Sequence, residues 1–199
     1  VPLSVISINE KHNLGIFEAG ISTVNEMEKL EKIVKPTIGL LTNIGSAHDE
    51  GFANIGEKMK QKLKLFSDVD VLILHKSKTV EAFLNPKIKT FSWSCKYENA
   101  DVFIVKKIIV DKTSLKVRFN NDDFEIKIPF LDDASVENAI QCMMVLLHFG
   151  YDPKVIENRM SLLFPVEMRL KVKNGINNTT IIDDSYSSDF QSLKIALDF

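Results

Sequence analysis

The side chains best suited to hold or replace a divalent cation are the carboxylate of Glu18, the imidazole of His48 and the amine of Lys62. Glu18 ends the apolar run LGIF, Asn43 and His48 follow the run TIGLL, and Lys62 lies fourteen residues after His48. A carboxylate beside an imidazole can ligate a divalent metal directly or through water. Taken one at a time, Glu18, Asn43 and His48 read equally well as surface or capping groups, and Lys62 as a solvated lysine. Asp183 and Asp184 end the run TTII, where paired acids could hold ribose hydroxyls or a metal, or cap the turn that follows.

These positions gain meaning from the elements that would carry them. The first half alternates short apolar runs with amphipathic ones: LGIFEAG, VNEMEKLEKIV, TIGLLTNIG, IGEKMKQKLKLF, VDVLILH, SKTVEAFL and KTFSW. Buried strands alternating with helices predict parallel crossovers, hence an α/β fold with an open, mainly parallel sheet flanked by helices. Val24, Met27, Leu30 and Val34 recur at helical spacing, and Pro36 stops that helix. In such a sheet ligands gather at the carboxyl ends of the strands, where loops diverge and helix N-termini present free N–H groups. That geometry predicts the loops after LGIF and TIGLL to share one edge.

From Ala100 the texture changes to DVFIVKKIIV, SLKVRFN and FEIKIPF, joined by turn-rich DKT and NNDD, which predicts an added antiparallel meander. Phe103, Phe119, Phe124 and Phe130 are expected in its core. ASVENAIQCMMVLLHFG reads as a helix closed by Gly150, with Cys142 expected as a small buried group on its apolar face. PKVIENRMSLL opens with Pro153 at a favoured first-turn position, and RLKVKNGINNTTIIDDSY predicts a hairpin around Asn174-Gly175.

Composition sets the outer bounds. At 199 residues and 45% hydrophobic, the chain can bury a full core, and its net charge of -2 offers no field to collect nucleic acid despite the local run Lys58, Lys60, Lys62, Lys64. Cys95 and Cys142 lack the paired spacing of a zinc site and suggest reduced thiols, with one disulfide as the alternative. No stretch reaches the roughly 18 apolar residues of a membrane span, and there is no signal-peptide pattern, so a cytoplasmic location is expected.

The strings GIFEAGIS, EMEKL, PTIGLLTNIGSAH and DEGF, in that order, resemble the Mur ligases of bacterial cell-wall synthesis. Within that family the wording is most similar to the branch that adds D-alanyl-D-alanine to UDP-N-acetylmuramoyl-tripeptide, in the form fused to a PLP-dependent alanine racemase. The resemblance implies an ATP-dependent amide ligase with a P-loop NTPase-like central domain over 1–166, and the hinge and start of a C-terminal domain over 167–199. It implies magnesium ligation by Glu18 and His48, and at Lys62 a carbamylated lysine, an amine turned by carbon dioxide into a carboxylate. It also implies nucleotide contacts from Asn138, Arg169 and Asp184, with Asn43 shaping the phosphate end. Ala134 and Ser135 depart from the His-Asn of the family pattern HNxxNAxAA, and SYSSDF departs from SYNANP.

No Gly is followed by Lys, so the GxxxxGK[ST] loop that cradles ATP phosphates is not in this chain, and the isolated chain is expected to be inactive. Two other readings compete. One is a non-catalytic nucleotide-binding or scaffold module, which has no reason to keep an acid-His-Lys trio; the other is a folylpolyglutamate synthase-like ligase, which the TNIGSAH and FEAGIS wording disfavours.

Overall fold

The computed structural model describes residues 1–43, 51–166, 171–186, 193–194 and 196–197. Two compact units divide the chain, Val1–Asp101 and Val102–Phe199.

The first unit runs α1 (Pro2–Ile6), α2 (Glu26–Val34), β1 (Ile38–Leu41), α3 (Ile55–Leu63) with a 3-10 turn at Lys64–Phe66, β2 (Val71–His75), α4 (Lys78–Glu81) and β3 (Thr90–Ser94). β1 and β3 flank β2, both parallel to it, with Ile38 opposite Val71 and Leu72 opposite Thr90. Val71, Leu72, Ile73 and Leu74 are all buried, as a strand covered on both faces requires. Trp93 of β3 is 1% exposed, and its indole lies flat against His75 of β2, with ring centroids 4.0 Å apart and planes 11° from parallel.

Helix α2 forms where the apolar spacing predicts it. Met27 is buried and Leu30 packs against the same core. At its C-terminus Lys35 adopts the left-handed conformation (φ 45°) and returns its N–H to the carbonyl of Glu31, with Pro36 next. α3 begins at a capping box, in which the Asn54 side chain accepts from the Glu57 amide and the Glu57 carboxylate accepts from the Ala53 amide.

One predicted strand is absent. LGIF is not in a sheet, and Leu14 and Ile16 are exposed, the latter at 87%. An apolar run becomes a strand only when a neighbouring backbone takes up its N–H and C=O groups, and β1 pairs only with β2 among the described residues. Glu18 therefore sits in an extended loop and does not end a strand.

The second unit contains β4 (Val102–Ile109), β5 (Thr113–Phe119), β6 (Asp122–Ile128), α5 (Asp133–His148), α6 (Pro153–Met160) and the hairpin β7 (Lys171–Asn174) with β8 (Thr180–Asp183). β4, β5 and β6 form the expected antiparallel meander. Asn120 and Asn121 both take positive φ, 51° and 68°, the geometry that a two-residue turn between twisted strands demands. The meander core is aliphatic: Val102, Ile104, Leu115, Val117, Ile126 and Ile128 are buried, while Phe103, Phe119, Phe124 and Phe130 are only half-buried.

Gly150 closes α5 at φ 76°, and Pro153 opens α6 beside its cap Asp152. Cys142, expected buried, is exposed, because it falls beside rather than on the stripe of Val136, Ile140, Met143 and Leu147. The surrounding protein still desolvates its sulfur enough to push the thiol up. Neither cysteine is in a disulfide. In the β7–β8 hairpin the turn extends past Asn174-Gly175, and Asn177 and Asn178 supply its left-handed positions. No described helix is long and apolar enough to cross a membrane.

Two contacts fix the path of the loop that carries Glu18. The Glu26 carboxylate accepts from the amides of Ser22 at 2.6 Å and Thr23 at 2.9 Å, and these bonds hold its carboxyl below the usual carboxylate value. Because the folded value is depressed, the clamp is complete above pH 4.5 and is lost as pH falls through the lower folded value. Glu26→Gln is expected to speed hydrogen exchange at the Ser22 and Thr23 amides at neutral pH, and wild-type protein should converge on the variant's rates in acid.

Gly51 lies against that loop so closely that an added Cβ would stand 2.0 Å from the Ser22 carbonyl oxygen. Gly51→Ala must push backbone from backbone, and is expected to lower stability by roughly 1–3 kcal/mol in denaturant titration.

Candidate functional site

The loop after Glu18, the chain at Gly51 and Phe52, and helix α3 meet in one apolar cluster. Ile21 from the first, Leu41 from β1 and Met59 from α3 are buried in it, and Ala19, Phe52 and Leu63 pack around them. Ala19 adjoins Glu18 in sequence, Leu41 and Phe52 bracket the segment containing His48, and Leu63 adjoins Lys62. The flanks of all three positions are thus drawn to one place by hydrophobic burial, worth about 1.5–3 kcal/mol for each large side chain. Polar contacts add register: the Asn25 amide donates to the Gln61 side chain at 3.1 Å, and Lys64 donates to the Asn25 side-chain oxygen at 3.3 Å.

Glu18 itself is exposed, with its carboxylate on the surface of the loop. Asn43 is exposed just beyond β1. His48 lies outside the described residues, as does Arg169. Lys62 is half-buried near the end of α3, and burial pushes its amine below the ordinary lysine value, with the positive charge of Lys58 one turn earlier pushing the same way. Lys62 is therefore not the solvated lysine that its sequence alone suggests.

Two features of this region escaped sequence reasoning. Lys58 is 2% exposed, although it belongs to a run that reads as a basic surface. The available signal was the pairing of like charges four residues apart on one helix, an arrangement that destabilises a helix without a compensating role. Gln61, also in that run, is buried and spends its side-chain oxygen on α2's N-terminus.

The second unit carries the remaining candidates. Asn138 is exposed in the second turn of α5, and its amide has no partner among the described residues. Ala134 is exposed one turn below it, and Gln141 one turn above is only 3% exposed. Asp184 is half-buried just after β8. Asp183 accepts from Lys173 and from the Ser185 hydroxyl, both at 2.6 Å, which lowers its carboxyl to about 2. Of the two acids, Asp183 is thereby committed to the hairpin.

Whether these groups suit a divalent cation depends on Lys62. Among the described residues no three His, Cys, Asp or Glu side chains cluster in a way that could hold a metal. An ammonium at Lys62 would repel a cation, whereas a carbamate on the same nitrogen would be anionic and could ligate one.

Comparison with known proteins agrees with this architecture. The Mur ligase middle domain family matches residues 1–146. A UDP-N-acetylmuramoyl-tripeptide--D-alanyl-D-alanine ligase of Buchnera aphidicola is 25% identical over 206 residues, covering 99% of this chain and 44% of its own length. The chain spans less than half the length of the curated relatives it matches. MurF from Acinetobacter baumannii superposes with a TM-score of 0.79 at 20% identity, covering 94% of this chain and 42% of that one. A MurF ligase from Thermotoga maritima, solved in complex with ADP, superposes with a TM-score of 0.70 at 18% identity, covering 89% of this chain and 42% of that one. With the family matched along most of the sequence and its fold reproduced in α/β layers and meander, this chain belongs to the Mur ligase middle domain family.

Proposed function

We propose that the chain is the central part of an ATP-dependent amide ligase that joins D-alanyl-D-alanine to UDP-N-acetylmuramoyl-tripeptide, with residues 1–166 as the central domain and 167–199 opening a C-terminal one. The observation that carries this reading is the shared core of Ile21, Leu41 and Met59, which gathers the flanks of Glu18, His48 and Lys62. Relatives named for that ligation align along 99% of the chain. Neither relatives nor structure support an alanine racemase fusion, and PLP has no part in the proposal.

In this chemistry ATP activates the peptide carboxylate as an acyl phosphate open to attack by an amine, and magnesium, when bound, offsets the phosphate charge. Glu18 and His48 would hold the cation together with a carbamate on Lys62. The lowered value at Lys62 gives its amine a larger neutral fraction at neutral pH. The neutral nitrogen forms a bond to the carbon of carbon dioxide as one C=O π pair moves onto oxygen, and loss of a proton from the nitrogen to water leaves a carbamate whose carboxylate end is anionic. The same resemblance assigns Asn138, Arg169 and Asp184 to the nucleotide and Asn43 to the phosphate end.

A half-buried lysine costs stability, since its charge must be desolvated, and such a cost is expected where a group serves chemistry. Lys62→Met should therefore leave the melting temperature of the full-length ligase unchanged or higher while abolishing ligation. Lys62→Ala should also abolish ligation and regain part of it when a short-chain carboxylic acid is added. Full turnover by either variant would remove Lys62 from the mechanism.

A further inference from the structure

Asn25 opens α2 without doing what an asparagine at a helix start ordinarily does. Its side chain caps nothing in its own helix, and its backbone takes the left-handed conformation at φ 68°. That conformation is uncommon outside glycine and persists only where the surroundings fix it. Helix α3 supplies the fixing. The Asn25 amide donates to the buried Gln61 side chain at 3.1 Å, and the Asn25 side-chain oxygen accepts from Lys64 at 3.3 Å. Because its partner is a backbone N–H, the atom that Gln61 presents must be its oxygen. Local capping is given up for a tie between distant segments, and a local rule broken in this way marks a place where tertiary position matters.

The tie joins the two segments that carry the candidate site. Gln61 directly precedes Lys62 on α3, and Asn25 lies at the far end of the loop that begins at Glu18. Between those ends the loop is braced. Ile21 is buried in the apolar cluster, the Ser22 and Thr23 amides are held by Glu26, and Gly51 lies against the Ser22 carbonyl. A segment braced at successive residues moves as one piece, so its attachment at Asn25 sets the offset between the Glu18 loop and α3. Magnesium accepts oxygen ligands only near about 2.0–2.1 Å, and a shift of a few tenths of an ångström therefore costs it affinity.

We propose that Gln61 is a positioning residue: by holding Asn25 it seats the Glu18 loop against the helix that carries Lys62, and so sets the fit of that site to its divalent cation. This rests on the ligase reading above and adds to it a residue that touches neither substrate nor cation.

The test uses the full-length ligase and three readouts: hydrogen exchange at the Asn25 amide, binding of manganous ion in the presence of a non-hydrolysable ATP analogue, and KM for D-alanyl-D-alanine. Manganous ion is followed by electron paramagnetic resonance, which needs no turnover. Gln61→Met keeps the volume and removes the acceptor. It should speed exchange at Asn25 and weaken manganous ion binding, each about tenfold, the worth of one hydrogen bond, while KM for the dipeptide stays within about twofold. Gln61→Glu keeps an acceptor oxygen, and should leave Asn25 protected and the cation bound no more weakly than by wild type. A role confined to stability would lower the melting temperature of Gln61→Met and leave cation affinity at its wild-type value. That result overturns the role of Gln61 while the ligase reading stands. If Gln61→Met does not fold, exchange in the wild type still decides, since an Asn25 amide as labile as an exposed loop amide also overturns the proposal. A wild-type enzyme without ATP-dependent ligation takes both readings down together.

Discussion

Ile21, Leu41 and Met59 come from a loop, a strand and a helix that are far apart in sequence, and their common burial holds those three segments together. Apolar contact has no direction of its own, so it gathers these segments without setting their register. The register comes from shorter-range contacts. Glu26 pins two successive amides of the loop, Gln61 reaches across to the amide of Asn25, and Gly51 allows backbone to lie against backbone at Ser22. A site assembled this way has its rigidity beneath the polar surface, while the groups proposed to touch ligand, Glu18 and Asn43, remain exposed.

Much of this architecture was legible in the residues. β1 and β2, the helix ending at Pro36, the meander and the glycine at position 150 each have a local cause, whether apolar spacing, a residue that fixes φ or one that permits positive φ. LGIF failed as a strand because strand formation depends on a partner, and periodicity within a segment carries no information about its neighbours. The meander phenylalanines misled for a related reason. Size and apolarity mark a residue as fit for burial, but aliphatic side chains at the alternating positions of β4, β5 and β6 fill that core.

The candidate site was legible only as residue types. Sequence placed an acid, an imidazole and a lysine at suggestive distances along the chain, yet the property that distinguishes Lys62 is desolvation, which arises from packing by other segments. The same limit applied to Lys58 and Gln141, polar residues that helical periodicity assigns to no particular environment and that the fold buries. Polar burial depends on what closes over a position, and this is decided at the tertiary level.

The stacking of His75 on Trp93 has a practical consequence. Trp93 is the only tryptophan in the chain, it is sequestered on β3, and it belongs to the first unit. Its emission therefore reports the loss of packing around β3. Paired with far-ultraviolet circular dichroism, which sees both units, this single fluorophore separates sequential from concerted unfolding without any added label.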